Sequence, residues 1–217
     1  MKSYVLRAGR MSGAQRRSRE TLAPVYCLPF EPRLLNTRAV FGNDRPLIVE
    51  IGFGMGTATA LIAENNPEKN YLGLEVHRPG VGRLLWEIGN RGLENIRVIE
   101  HDAVETLETM IPPASVEGFH IFFPDPWPKK RHHKRRLITR PFTGVLAEKL
   151  RPGGYVYMVT DWEDYADWAL AELSATPGLS NPHGGFAPPQ DWRPKTKFEE
   201  KGLAKDHRVR ELFFIKE

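Results

Sequence analysis

Residues 50–56 read Glu-Ile-Gly-Phe-Gly-Met-Gly. Gly52, Gly54 and Gly56 let the backbone turn tightly and bring a ligand close, with no Cβ in the way. The spacing Gly-x-Gly-x-Gly is not the Gly-x-Gly-x-x-Gly of dinucleotide sites. No Gly-Lys-Ser/Thr follows, which excludes a nucleotide-triphosphate loop. Glu50 would repel a pyrophosphate, but it suits the ammonium of a methionine moiety, directly or through water. Glu75 lies 25 residues further on, where an acid can accept from both hydroxyls of a ribose. Asp102 is placed to accept from an adenine amino group, with Val76 and Ala103 flanking the ring. This set of groups matches S-adenosyl-L-methionine better than a dinucleotide.

Residues 123–128, Phe-Pro-Asp-Pro-Trp-Pro, hold an acid between prolines in stiff backbone, beside an indole able to stack on a base. Guanine N7 is one acceptor such a loop could serve, because its lone pair is already nucleophilic. Methyl transfer to it needs positioning, an in-line approach and electrostatic help more than it needs a base. Asp125 would then grip the imino and amino edge of the base, and Lys129 a phosphate or ribose. Residues 129–136 continue as Lys-Lys-Arg-His-His-Lys-Arg-Arg, a net +6 with no acid. Arg131, His132, His133, Lys134, Arg135 and Arg136 thus form a run suited to a phosphate backbone. A localisation signal is the usual alternative for such a run. The histidines have no Cys or Glu-x-x-His context, so no metal site is expected.

These residues need a scaffold that brings them to one edge. Apolar runs at 47–51, 70–76, 95–100, 118–123 and 155–160 read as strands. Helical spacing appears at 57–64, 81–89, 104–110, 137–150 and 162–173, the fourth stopping at Arg-Pro-Gly-Gly. A loop rich in Pro, Gly and Asn covers about 175–194, and a last strand covers 211–215. Alternation of this kind predicts an α/β doubly wound sheet. Ligands of such sheets bind outside the carboxyl ends of the strands, where Glu50, Glu75, Asp102 and Asp125 recur. Residues 1–44 have no clear period and read as a basic, flexible N-terminal arm to about Glu20, then a lead-in to a domain over 45–217.

The formal charge is +4 over 217 residues. Residues 1–20 carry a net +5 and residues 129–136 a net +6, which leaves −7 for the remaining chain. Two basic patches on an acidic body suit a polyanion partner. No apolar run is long enough to span a membrane. The basic start lacks the apolar stretch of a secretory signal, and Glu20 with the Pro-rich continuation counts against a mitochondrial presequence. A cytoplasmic location is expected. The one cysteine, Cys27, excludes an internal disulfide, and both a monomer and a homodimer are compatible with the sequence.

Glu50–Gly56, Gly-Leu-Glu-Val-His-Arg-Pro-Gly at 73–80, residues 123–136, Thr160-Asp161 and Thr-Lys-Phe-Glu at 196–199 together resemble the bacterial-type tRNA (guanine-N7-)-methyltransferases, in order from about residue 47 to the end. The family is less basic and more variable at Pro128–Lys130, a departure that leaves the motif intact. The resemblance implies a Rossmann-like sheet of seven strands, mostly parallel with one antiparallel strand, and helices on both faces. It implies methylation of a guanine in the variable loop of tRNA. Glu50, Glu75, Asp102 and Asp125 match the family's cofactor-binding acids, and Asp125 also its catalytic residue. Lys129, Asp161, Thr196, Lys197, Phe198 and Glu199 match its substrate contacts, and Arg131–Arg136 its RNA-interacting run. Three other readings remain: an NAD-dependent oxidoreductase, a non-catalytic RNA-binding module, and a methyltransferase acting on protein, DNA or another RNA. The first would want its third glycine one position later. The second leaves the strand-end acids unexplained.

Overall fold

Four of the five residues of β1 (Leu47–Ile51) are apolar, and all five are buried, Glu50 included. That is the composition of a strand covered on both faces. The computed structural model describes residues 2–4, 9–194, 199 and 208–217. The chain divides into two compact units, one of Leu6–Pro112 with Trp192–Pro194, the other of Met1–Val5, Pro113–Asp191 and Lys195–Glu217.

In the first unit, β2 (Asn70–Leu74) runs parallel to β1, and β3 (Ile96–Ile99) runs parallel to β2. Each strand feeds a helix: α3 (Thr57–Asn65), α4 (Arg78–Arg91) and α5 (Ala103–Met110). Val81, Leu84, Leu85 and Ile88 give α4 a fully buried stripe at helical spacing. Pro79 sits in its first turn, and Gly92 ends it in the left-handed conformation at φ 64°.

The stretch from Gly13 to Glu20, expected as part of a flexible arm, is helical. Gly13–Tyr26 forms a helix, α1, followed by the short α2 (Thr37–Phe41). A capping box starts α1: the Ser12 hydroxyl accepts from Gln15 N at 3.2 Å, and Gln15 Oε1 accepts from Ser12 N at 2.7 Å. The helix then lies on α4. Gln15 Nε2 donates to Pro79 O at 3.1 Å, and Arg19 pairs with Glu100 at 2.6 Å. A Cβ on Gly89 would stand 2.9 Å from Leu22 Cδ1, so absent side chains on α4 admit the helix. Apart from Leu22, the contacts named here are made by polar and small residues, which is why no apolar period marks α1 in the sequence. Beyond it, Leu28 N donates to Val98 O at 2.8 Å, which carries the chain along the edge of β3.

In the second unit, β4 (Val116–Phe122) runs parallel to β5 (Leu150–Thr160). A 3-10 helix (Lys130–Arg135) and α6 (Arg140–Lys149) connect them. After β5 come α7 (Glu163–Ser174), the two-residue β6 (Leu179–Ser180) and β7 (Arg210–Lys216). Strand β7 is antiparallel to both β5 and β6. The seven strands are ordered β3-β2-β1-β4-β5-β7-β6, mostly parallel with β7 reversed. The Arg-Pro-Gly-Gly stop does end α6, but those residues lie inside β5 and not in a loop before it. The register steps from Val116 opposite Leu150 to Gly118 opposite Tyr155, so residues 151–154 are taken up as a bulge. Among the described residues no helix is long and apolar enough to cross a membrane.

Ser12→Ala removes the hydroxyl half of the capping box. It should destabilise the protein by about 1 kcal/mol and speed amide exchange in the first turns of α1. Exchange at Arg16–Arg19 as fast as in an unstructured peptide in the parent protein would contradict a packed α1.

Candidate active site

The turn after β1 is built from several close approaches. Gly52, Gly54 and Gly56 have φ of 73°, 58° and 69°, a region that L side chains rarely adopt. A Cβ on Gly56 would meet Leu84 Cβ at 2.6 Å, and one on Gly73 would meet the Phe53 ring at 2.7 Å. Phe53, itself buried, thereby anchors the turn on β2. A Cβ on Gly80 would stand only 1.9 Å from Gly54 O, so the start of α4 lies directly against the turn. At Gly52 and Gly54, by contrast, none of the described residues lies within 4 Å of where a Cβ would be. The turn is tight on its protein side and open on the other.

Glu75, at the end of β2, braces this turn. Its Oε2 accepts from Gly54 N at 2.8 Å, and its Oε1 accepts from Val76 N at 2.7 Å and His77 N at 2.9 Å. A carboxylate offers about four lone-pair sites, so roughly one is left for a ligand. Asp102 caps α5, with Oδ1 accepting from Val104 N at 2.9 Å and Glu105 N at 3.1 Å. Its Oδ2 takes no part in the cap. Glu50 differs from both, because its Oε2 is buried and has no hydrogen-bond partner among the described residues. Burial, with the neighbouring Glu75 charge added, pushes its carboxyl up to about 8. The Thr59 hydroxyl lies near enough to offset part of this, yet has no partner of its own.

In the second unit, Phe123–Pro128 follows β4. Phe123 and Trp127 have φ of 50° and 47°, two of three positive-φ residues other than glycine among the described residues. Strain on both sides of Asp125 is a signature of functional loops. Asp125 is exposed, with no hydrogen bond or ion pair to the described residues. Trp127 is less available for stacking than the sequence suggests. Its indole N–H donates to Ser3 O at 3.0 Å, the Arg135 guanidinium lies over its ring at 4.1 Å, and the His132 ring meets it edge-on.

The basic run forms the 3-10 helix, and its members separate. Lys129, Lys130, Arg131 and Lys134 are exposed; His132, His133 and Arg135 are half-buried. His132 has its pKa lowered by loss of solvent and then by the charges of Arg131, Arg135, Lys129 and Lys134. Arg136 departs from the expected role as an RNA contact, since its side chain is 0% exposed. The physical reason is α7, whose Asp164, Tyr165 and Trp168 surround it. Asp161, just after β5, opens onto a cleft of about 700 Å³ walled also by Trp162, Asp164, Asp167, Arg208 and Arg210. Glu199 is buried; Thr196, Lys197 and Phe198 lie outside the described residues. Among the described residues no cluster of three or more His, Cys, Asp or Glu is arranged to hold a metal ion. The sequence reading missed Phe53, Thr59 and Gly80 around the turn, and Asp164, Tyr165 and Trp168 around Arg136. Only the i, i+1, i+4 spacing of the last three was a usable signal.

A sheet of this order, with a glycine turn after its first strand, is that of the Rossmann-like methyltransferases. The 16S rRNA methyltransferase KamB shares the fold at 15% identity, with a TM-score of 0.59 over 85% of this chain and 98% of that one. A family model described as "Putative methyltransferase" matches residues 44–212. The tRNA (guanine-N(7)-)-methyltransferase of Nitrosospira multiformis is 51% identical over 100% of this chain and 94% of its own length. That of Thiobacillus denitrificans is 51% identical over 99% and 94%. The chain belongs to the tRNA (guanine-N(7)-)-methyltransferase family.

Glu50 has a testable signature in the protein alone. Its carboxyl ionises near 4.5 when unfolded and near 8 when folded. Folding thus favours the protonated form; the benefit is complete below about pH 4.5 and is lost as pH rises through 8. Relative to Glu50→Gln, the parent should lose up to about 1.4 kcal/mol per pH unit between these values. Parallel denaturation curves of the two proteins from pH 5 to 8 would refute the assignment.

Proposed function

We propose that this chain transfers a methyl group from S-adenosyl-L-methionine to N7 of a guanine in the variable loop of tRNA, in the cytoplasm. The observation that carries this reading is Asp125, a carboxylate with no hydrogen bond or ion pair to the described residues, on a strained, proline-stiffened loop at the carboxyl end of β4. The naming of full-length relatives for guanine-N7 methylation of tRNA supports the choice of substrate.

The cofactor residues suit the group they would hold. Glu50, with a buried oxygen lacking any partner, takes the amino-acid ammonium, and Gly52 and Gly54 leave backbone open to it. Glu75 has one acceptor site to spare for a ribose hydroxyl while it keeps its three backbone bonds. That narrows the expectation of two hydroxyls drawn from the sequence. Asp102 offers Oδ2 to the adenine amino group. When bound, the cofactor supplies a methyl group on a sulfonium, a leaving group that departs as a neutral thioether.

The guanine N7 lone pair attacks without prior loss of a proton, so the new N–C bond leaves positive charge on the purine. A carboxylate at the Watson–Crick edge accepts from N1–H and the exocyclic amino group, whose acidity rises as that charge grows. Asp125 therefore orients the base and binds its charged product form more strongly than the neutral form. Lys129 follows two residues after Trp127 and is free to meet a phosphate or ribose. Asp161, in its cleft, and the 196–199 stretch take further substrate contacts. Lys130, Arg131 and Lys134 present cations outward to the tRNA backbone.

Incubation with unmodified tRNA and methyl-labelled cofactor should yield 7-methylguanosine, identified by mass spectrometry of the digested nucleosides. Its absence would sink the assignment. Asp125→Ala should lower kcat by roughly 100-fold or more while calorimetric cofactor binding remains measurable. Replacing Lys130, Arg131 and Lys134 together by Ala should flatten the salt dependence of tRNA binding by about one unit per lost phosphate contact. An unchanged slope would remove the basic run from the RNA surface.

A further inference from the structure

We propose that Arg136 is a positioning residue for the Asp125 loop and makes no contact with RNA, an inference that rests on the catalytic role given to Asp125 above. Its guanidinium is the one cation of the 129–136 run that points wholly inward. Arg136 Nε donates to Pro126 O, the carbonyl one residue beyond Asp125, at 3.0 Å. Its Nη2 pairs with the Asp164 carboxylate and donates to His133 Nε2 at 3.2 Å. The plane lies against the rings of Tyr165 and Trp168, 5.1 and 5.2 Å from their centroids. Tyr165 Oη accepts from Ile138 N at 3.2 Å and Trp168 Nε1 donates to Ile138 O at 2.7 Å, so α7 also fixes the chain just after Arg136.

A loop of this kind needs an outside brace. Pro124, Pro126 and Pro128 have no N–H to donate, and Phe123 and Trp127 sit in strained backbone. Phe123 is held by Val159 O at 2.8 Å and Trp127 by Ser3 O at 3.0 Å. Between those ends, Arg136 grips the carbonyl of Pro126, the residue that follows Asp125. Only a planar, multiply donating group can hold a carbonyl and a carboxylate together while stacked between aromatic rings. Lysine cannot reproduce that geometry. The Nη1 amino group of Arg136 is buried without a partner among the described residues. Such a cost persists where surrounding structure fixes the group for another purpose. Asp164 completes the brace from an exposed position, and the pairing depresses its pKa through the Arg136 hydrogen bond.

The test compares Arg136→Lys and Asp164→Asn with Arg131→Ala. Arg136→Lys should lower kcat about tenfold or more, as a loosened reacting group does. Its tRNA affinity and salt slope should stay within about twofold of the parent, whereas Arg131→Ala should flatten the slope by about one unit. Protease cleavage within 123–128 should quicken in Arg136→Lys without tRNA present. Asp164→Asn, a substitution at a largely exposed side chain, keeps the proposal falsifiable if Arg136→Lys does not fold. It should reproduce the kcat loss in part and the faster cleavage. A salt slope lowered by one unit in Arg136→Lys would make Arg136 a phosphate contact and overturn the proposal. So would parent kcat and parent cleavage rates in a folded Asp164→Asn. If the parent forms no 7-methylguanosine, the proposed function fails, while the slope and cleavage measurements still decide where Arg136 acts.

Discussion

The Glu75 carboxylate accepts hydrogen bonds from the backbone N–H groups of Gly54, Val76 and His77, and the geometry of the turn after β1 follows from it. Drawing Gly54 N onto the end of β2 brings Gly54 O against the start of α4, where only a glycine fits at position 80. It also lays Phe53 over β2, where only a glycine fits at position 73. The glycines of the turn and those of 73–80 are thus halves of one packing arrangement. The same carboxylate sets the electrostatics of Glu50, whose proton is retained chiefly by burial and secondarily by this neighbouring charge. One side chain thereby shapes the turn and tunes the acid beside it.

In the second unit the corresponding task falls to charge and aromatic packing. The loop after β4 has prolines where other loops have donors, so its shape is imposed from outside, by α7 acting through Arg136 and by the residue-3 carbonyl acting on Trp127. A run that looks uniform in sequence is sorted by the turn of a 3-10 helix. Lys130, Arg131 and Lys134 face water, Arg135 covers the Trp127 ring, and Arg136 points into the protein.

The order of strands and helices was legible because buried strands and amphipathic helices leave strong local periods; α4 shows its stripe at Val81, Leu84, Leu85 and Ile88. Where structure depends on a partner surface, the local signal failed. Helix α1 is held by Gln15, Arg19 and the missing side chains of Gly82 and Gly89, none of which makes an apolar period. Residues 151–154 read as a break because Pro and Gly usually end elements, yet the sheet absorbs them as a bulge. The strand-end acids were visible by recurrence, but their division of labour was not. Glu75 and Asp102 have structural bonds that no spacing rule reveals, and the buried state of Arg136 depends on residues 28 or more positions away.

The way each ionisable group is compensated separates structural from ligand-facing roles. A charge removed from water must find a partner in the chain or remain costly. Arg136 finds Asp164, a carbonyl and two rings. Glu211, equally buried, accepts from the Tyr157 hydroxyl and from Gln190 N at 3.3 Å. Both find partners within the chain, although Arg136 keeps Nη1 unpaired among the described residues. Glu50 is buried and incomplete, and retains its proton for want of a cation. A ligand ammonium would supply what Arg136 receives from Asp164, an opposite charge at contact distance, and would release that proton. Asp125 is the converse case, exposed and held in a strained loop. In the proposed reaction Glu50 would meet a positive charge and Asp125 hydrogen-bond donors.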